Sequence, residues 1–231
     1  MNKHPENKCN LAFKINYCNG REDALDVKHV GFRGVCTPGV IEENITSLKR
    51  DWCSQPECSC RQFLDGKIKY PELQSRWEQG PICIESYLLI DWVAYAGSDR
   101  KNGRTARKIL YGEPGKLAVL TTQFPSDPKN RKVFAVFIID EIFSGDDDNC
   151  GWVGAHPDYR LELLSDEAIK INFNDYYKNE WYSSLFRYMY DDSCAELLYK
   201  IMQIKKGTPD FELAKEMYHY YCQHNGIKEK K

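Results

Sequence analysis

Three cysteines fall within eight residues in Trp52-Cys53-Ser54-Gln55-Pro56-Glu57-Cys58-Ser59-Cys60-Arg61, and a fourth, Cys36, stands upstream in Gly34-Val35-Cys36-Thr37-Pro38. The residues between the thiols are small, polar and interrupted by proline, which argues against an ordinary core strand or helix across the segment. Thiolates this close in sequence converge on one soft cation, because proline and serine let the chain fold back around a point. Cys36, Cys53, Cys58 and Cys60 are therefore the expected metal ligands. Four thiolates close a tetrahedral zinc site and leave no position for substrate or activated water, so the expected role is structural. An iron–sulfur cluster is the alternative cofactor, since it also takes four thiolates, but the spacings do not follow the ferredoxin runs. If Cys58 or Cys60 is a bystander, Cys9, Cys18 and Cys83 stand in reserve. A plainer role for Cys83, Cys150 and Cys194 is that of buried small hydrophobes.

The ten cysteines take their meaning from the compartment. The polar start, Met1-Asn-Lys-His-Pro-Glu-Asn-Lys8, has no apolar signal core. No apolar run approaches the ~20 residues that span a bilayer, and Val133–Ile139 stops at Asp140. The expected setting is cytoplasmic, without a membrane partner, and there the cysteines point to metal binding and free thiols rather than a disulfide framework. Formal charge is −2, from 32 basic and 34 acidic side chains. The chain has no global basic field, so any nucleic-acid binding must come from a local patch.

Periodicity divides the 231 residues into three parts. Residues 1–80 form a cysteine-rich metal-binding segment. Within it, residues 10–18 alternate as a strand, and Thr37-Pro38 opens a helix that runs through Val40, Ile41, Ile45 and Leu48 to Trp52. Cys36 is then expected just before that helix and Cys53 just after it, with a second helix from Pro71 to Gln79 that Gly80-Pro81 ends. The composition shifts at this point, which marks the boundary. Residues 81–173 read as strands: Lys116–Phe124, Lys132–Phe143, Tyr159–Leu164 and Ala168–Phe173, with Pro125–Asn130 as an antiparallel connection. Between Glu85 and Tyr95 helix and strand compete. Residues 174–231 are helical in pattern, first through Trp181, Leu185, Tyr188 and Met189, then Leu197–Met202, and last from Thr208-Pro209 to Asn225-Gly226. The fold class is α+β: a small antiparallel β-barrel, a metal-stapled N-terminal segment and a helical C-terminal part packed on the barrel.

Two further constellations bear on function. Arg100, Lys101, Arg104, Arg107 and Lys108 put five cations into nine residues around Asn102-Gly103, a loop suited to phosphate contacts. Lys129, Arg131 and Lys132 extend it. The alternative is an ordinary solvated loop. Trp92, Tyr95 and Trp152 are the candidate base-stacking rings, with Trp152 read as a loop residue between Gly151 and Gly154. Core packing is the competing role, more so for Trp92. Catalytic signatures are thin: the chain has no Walker loop, no dinucleotide fingerprint and no His-Glu-x-x-His. Glu85, Asp91, Asp140 and Glu141 are the carboxylates a metal-dependent nuclease would use. No catalytic residue is assigned.

Residues 116–164 resemble a known pattern. Lys116-Leu-Ala-Val-Leu120 is followed by Val133-Phe-Ala-Val-Phe-Ile-Ile-Asp-Glu-Ile-Phe143, an acidic loop with Trp152, and Tyr159-Arg-Leu-Glu-Leu163. This order resembles the PUA-like superfamily, which includes EVE, ASCH and YTH domains. The resemblance implies a small β-barrel over about residues 83–173. It also implies an aromatic cage for a modified base, as in the reader modules of restriction and defence systems. The expected function is thus binding of DNA or RNA, with a metal-dependent nuclease, an iron–sulfur protein and a protein-interaction module as alternatives.

Overall fold

The computed structural model describes residues 9–20, 29–80, 82–99, 105–179, 181 and 184–230, with the side chains of 51, 52 and 99 excepted. The chain divides into two compact units, one of residues 16–92 and one of residues 1–15 with 93–231. The composition boundary at Gly80-Pro81 therefore falls inside the smaller unit, and the first strand belongs to the larger.

The smaller unit consists of short helices held by loops. Helix α1 (Pro38–Glu42) starts where Thr37-Pro38 predicts, but the Thr37 hydroxyl does not cap it. Asn19 takes up that residue instead: its Oδ1 accepts from Thr37 N–H at 2.9 Å and its Nδ2 donates to Thr37 Oγ1 at 3.0 Å. The helix does not reach Trp52. It widens into a π-turn at Glu43–Ser47, and Lys49 in left-handed conformation (φ 47°) ends it. Helices α2 (Asp51–Ser54) and α3 (Ser59–Leu64) flank the Pro56 turn, so Cys53 sits inside a helix and Cys58 takes the N-cap position of the next.

Helix α4 (Tyr70–Gln79), with Pro71 in its first turn, buries Leu73 and Trp77. The Trp77 indole N–H donates to Ser86 O at 3.3 Å, and Tyr87 O–H donates to Trp77 O at 2.9 Å, tying α4 to the segment before α5 (Leu88–Asp91). Trp92 ends α5 in left-handed conformation, with φ 53°.

Gly31 is required by sterics. Gly31 has φ 90°, and a Cβ there would stand 2.2 Å from Cys18 O. That close approach lets Phe32 N–H reach Cys18 O and Arg33 N–H reach Gly20 O, which pins residues 18–20 against 31–34.

The larger unit is built on an open six-stranded sheet of order β2-β7-β6-β5-β1-β8, curled into half a barrel. Its strands are β1 (Asn10–Lys14), β2 (Val93–Tyr95), β5 (Leu117–Thr122), β6 (Lys132–Phe143), β7 (Trp152–Glu162) and β8 (Phe186–Met189). A separate hairpin joins β3 (Ser98–Asp99) to β4 (Thr105–Ala106). The sheet is mixed, not antiparallel throughout: β1 runs parallel to β5, in register Leu11↔Ala118. Such pairing needs a long crossover connection, and the whole smaller unit lies in that connection. Register shifts at Leu120/Thr121, Phe137/Ile139 and Ile139/Glu141 mark the bulges that bend the sheet. Strand β5 and the first eight residues of β6 are buried on both faces.

Two further expectations for this unit are overturned. Residues 168–173 are not a strand: Ser165–Ala168 form helix α6, and Phe173–Asp175 a 3₁₀ turn. The cause is Glu167, whose Oε2 accepts from Leu164 N–H at 2.7 Å and closes the first turn. The residues from Phe186 to Met189 are not helical but form the edge strand β8, because β1 offers an open side for pairing. Helices α7 (Asp191–Lys205) and α8 (Phe211–His224) then match the sequence pattern, Gly207 following the first and Asn225-Gly226 the second. A ladder of rings runs from β7 to α8: His156 to Tyr159 at 4.9 Å, Tyr159 to Tyr220 at 4.6 Å, and Tyr220 to His224 at 5.7 Å.

A buried polar network joins the sheet to α7 and α8. Asn10 Nδ2 donates to Asp191 Oδ1 at 2.7 Å and to Met189 O at 3.2 Å. Asn10 Oδ1 accepts from Leu117 N–H at 2.7 Å and from Tyr221 O–H at 2.8 Å. Lys116 Nζ completes it at 3.0 Å from Asp191 Oδ2.

Candidate nucleic-acid interface and thiol cluster

In the larger unit the register across three strands decides which side chains share a face. Tyr95 pairs directly with Trp152, and Trp152 with Phe143, so the three rings form one row at the end of the sheet. Residues opposite one another in antiparallel strands point to the same side. The next positions, Ala94, Val153 and Ile142, form the opposite face, where Ala94 and Val153 are fully buried. The ring row is the open face: Tyr95 is exposed, and Trp152 and Phe143 are half-buried. Phe143 and Trp152 rings stand 6.2 Å apart with a 37° tilt. A Cβ on Gly154 would lie 3.6 Å from Trp152 Cζ3, so this indole leans over a position without a side chain. Trp152 thus opens β7 rather than standing on a loop. The third candidate ring is different. Trp92 belongs to the smaller unit and is 7% exposed, with its indole in the core.

The strand that carries Tyr95 leads straight into the β3–β4 hairpin. Arg100, Lys101 and Arg104 fall in its connecting residues and lie outside the described residues. Arg107 follows β4; its N–H donates to Gly97 O at 2.9 Å, and its Nη1 donates to Ser184 Oγ at 3.3 Å. Lys108 is exposed and pairs with Asp147 at 2.9 Å, a contact that solvent screens. The proposed extension of the patch is not formed by two of its three residues. Arg131 is buried, donates to Thr121 O at 3.1 Å and lies over the Trp181 ring. Lys132 is buried too, 3.0 Å from Asp127 and 2.6 Å from Asn172 Oδ1. Asp146 caps its own turn by accepting from the backbone N–H groups of Asp148 and Asn149, which holds its carboxyl below the usual range.

In the smaller unit the thiols gather more widely than the sequence spacing suggests. All ten cysteines are free. Cys18, Cys36, Cys53, Cys60 and Cys83 line one small cavity, together with Glu85. Cys18 enters through the Gly31 contact, and its thiol donates to Gly34 O at 3.5 Å. Cys36 precedes α1, and its thiol is hydrogen-bonded with that of Cys18; this bond and burial push its pKa well up. Burial raises Cys53 to about 12, and the nearby carboxylate of Glu85 adds to the rise. Glu85 is itself raised by desolvation, and Asn16 Nδ2 donates to it at 3.0 Å.

Cys58 behaves in the opposite way. It accepts a hydrogen bond from the Cys60 thiol and others from the backbone N–H groups at the start of α3, which lowers it to about 6. Cys58 lines a neighbouring groove with Ile82, Cys83 and Ile84, and is not among the residues lining the thiol cavity. Of the four expected ligands, the structure therefore brings Cys36, Cys53 and Cys60 to one cavity and leaves Cys58 at its margin. Cys18 and Cys83 were legible only as reserves, because their neighbourhood depends on loop closure across the whole unit.

Among the described residues, no group of three or more His, Cys, Asp or Glu side chains is drawn together at metal-ligand distances. Of the nuclease carboxylates, Asp140 and Glu141 are exposed on β6, and Glu85 and Asp91 belong to the smaller unit. Also among the described residues, no helix is long and apolar enough to cross a membrane. Comparison with protein-family models, with curated proteins and with solved structures gives no match.

Proposed function

We propose that the larger unit is a nucleic-acid-binding module of PUA-like type, and that its ligand is a DNA or RNA strand with an unstacked base, modified bases included. The observation that carries this reading is the Tyr95–Trp152–Phe143 row on the open face of the sheet. Aromatic rings on a sheet end offer π-faces on which bases stack, worth about 1–3 kcal/mol per base. The cationic segment from Arg100 to Lys108 follows in sequence from the strand that holds Tyr95, and phosphate contacts would come from it. Arg107 and Lys108 are its described members. Trp92 has no part in stacking. The ten free thiols support a reducing setting, the cytoplasm.

The test is a binding screen of the full chain against single-stranded and duplex DNA and RNA, with and without modified bases, at low and moderate salt. Trp152→Ala should weaken the best ligand by roughly 5- to 150-fold, the loss of one stacked base. Replacing Arg107 and Lys108 with Glu should flatten the salt dependence. If no nucleic acid binds at low salt, or if Trp152→Ala leaves the affinity unchanged while the fold is intact, the reading is wrong.

A further inference from the structure

The smaller unit holds a feature that the nucleic-acid reading does not use, and the inference below is independent of that reading. We infer that Cys18, Cys36, Cys60 and Cys83 are the four ligands of one zinc ion, a donor set that differs from the sequence-adjacent one by two residues. All four line the same cavity, which Cys53 also borders beside Glu85. Its free volume is about 10 Å³, room for about one water-sized sphere and so for a single ion rather than a multinuclear cluster.

The four arrive from four separate pieces of chain. Cys18 follows the first strand, Cys36 precedes α1, Cys60 lies in α3, and Cys83 precedes α5. Cys36 stands at the centre of the group. Its thiol is hydrogen-bonded with Cys18 and also feels the charge of Cys83 and of Cys60. Cys53 feels Glu85 most, then Cys58 and Cys18. Cys58 accepts from the Cys60 thiol and from the backbone at the start of α3, and it lines the adjacent groove rather than the cavity.

The same four residues tie together separate segments of short helix and loop. Among the described residues between Asn16 and Trp92 the longest helix has ten residues, and the others have four to six. A bound ion would add its binding free energy to the apolar burial around Phe32, Leu73 and Trp77. Binding follows a balanced exchange: Zn²⁺ and four thiols give a tetrathiolate complex of net charge −2 and four protons. The hydrogen bonds among the thiols are exchanged for metal–sulfur bonds, and the side chains close on the ion. The two thiols left over have distinct places, Cys53 beside the Glu85 carboxylate and Cys58 at the helix start.

The experiment is elemental analysis of the full chain purified under reducing conditions, with a Co²⁺-substituted sample measured by absorption. The expected result is one zinc per chain and a cobalt spectrum with the tetrahedral d–d bands and the sulfur-to-metal charge-transfer intensity of four thiolates. Cys18→Ser and Cys83→Ser should each cut metal content more than tenfold, while Cys53→Ser and Cys58→Ser keep one ion per chain. Because ligand variants could fail to fold, the cobalt spectrum of the unaltered chain stands as the second measurement. The inference is overturned if no metal is found and no cobalt spectrum develops. It is also overturned if Cys53→Ser and Cys58→Ser lose the ion while Cys18→Ser and Cys83→Ser keep it. Iron with inorganic sulfide in a coloured sample would overturn it as well.

Discussion

Lys205 Nζ lies 2.7 Å from Glu167 Oε2, and both side chains are buried, at 1% and 5% exposure. The pair locks the last turn of α7 to the first turn of α6, and Asp210 adds a second carboxylate to Lys205 at 3.0 Å. Removing one partner leaves a buried charge uncompensated, which costs about 3–5 kcal/mol. Lys205→Ala should therefore lower stability by that amount in urea unfolding. Lys205→Met combined with Glu167→Leu should lower it less, by about 1 kcal/mol for the lost Leu164 cap, since an apolar replacement of the ion pair itself is close to neutral. Equal losses in the two variants would contradict this.

The Asn10 amide is the centre of the network that joins β1, β5, α7 and α8. Asn10→Ala leaves Leu117 N–H and Asp191 without it, at about 1–3 kcal/mol for each buried group left unsatisfied. The expected loss is about 3 kcal/mol, read as a fall in melting temperature. Asn10→Asp should be no better, because it places a second carboxylate against Asp191.

Gly31 should not tolerate alanine. Its φ of 90° and the 2.2 Å approach of a Cβ to Cys18 O combine strain with overlap. Gly31→Ala should destabilise the smaller unit by about 1–3 kcal/mol or more. Hydrogen exchange should show the effect in residues 29–80, with the strands of the larger unit keeping their protection.

At alkaline pH the larger unit should lose stability. Burial holds the Cys9 thiol up at about 11, with Glu113 adding to the rise. Burial also raises Cys194 and the Tyr221 hydroxyl. In the unfolded chain these groups ionise at their ordinary values, 9.0 for the thiols and 10.0 for tyrosine. The folded state then binds more protons than the unfolded one, so stability is full below pH 9 and falls as pH rises through 11. Unfolding at a series of pH values checks the sign, and Cys9→Ala with Cys194→Ala should reduce the slope.

Local signals carried the elements whose order depends on near neighbours. The alternation of Lys132–Phe143 is β6, and the apolar spacing through Leu197–Met202 belongs to α7, because each pattern meets a face that buries it. The elements that failed depend on distant partners. Phe186–Met189 has rings at a spacing open to either structure, and β1 decides in favour of a strand. Ala168–Phe173 alternates, yet the Glu167 cap and its buried lysine fix the chain ahead of it as a helix. The thiols show the same divide. Spacing drew attention to Cys58, which is nearest in sequence, whereas the fold brings in Cys18 and Cys83 through loops that have no periodicity to read. The aromatic row was legible as two residue names, and Phe143 joined it only once the register was known.

The place of β1 has a consequence for synthesis. This strand leaves the ribosome before the whole smaller unit, and its partners β5 and β8 follow only afterwards; the Asn10 amide meets Met189 O across 179 residues. Contacts of this separation form late, after the loop-closure cost is met. The smaller unit is thus complete on the nascent chain while β1 still has both edges open, and an exposed strand edge is a template for wrong pairing. Delay between residues 92 and 122 lengthens that exposure. The yield of folded protein should accordingly respond to translation rate within that window more than within α7 or α8.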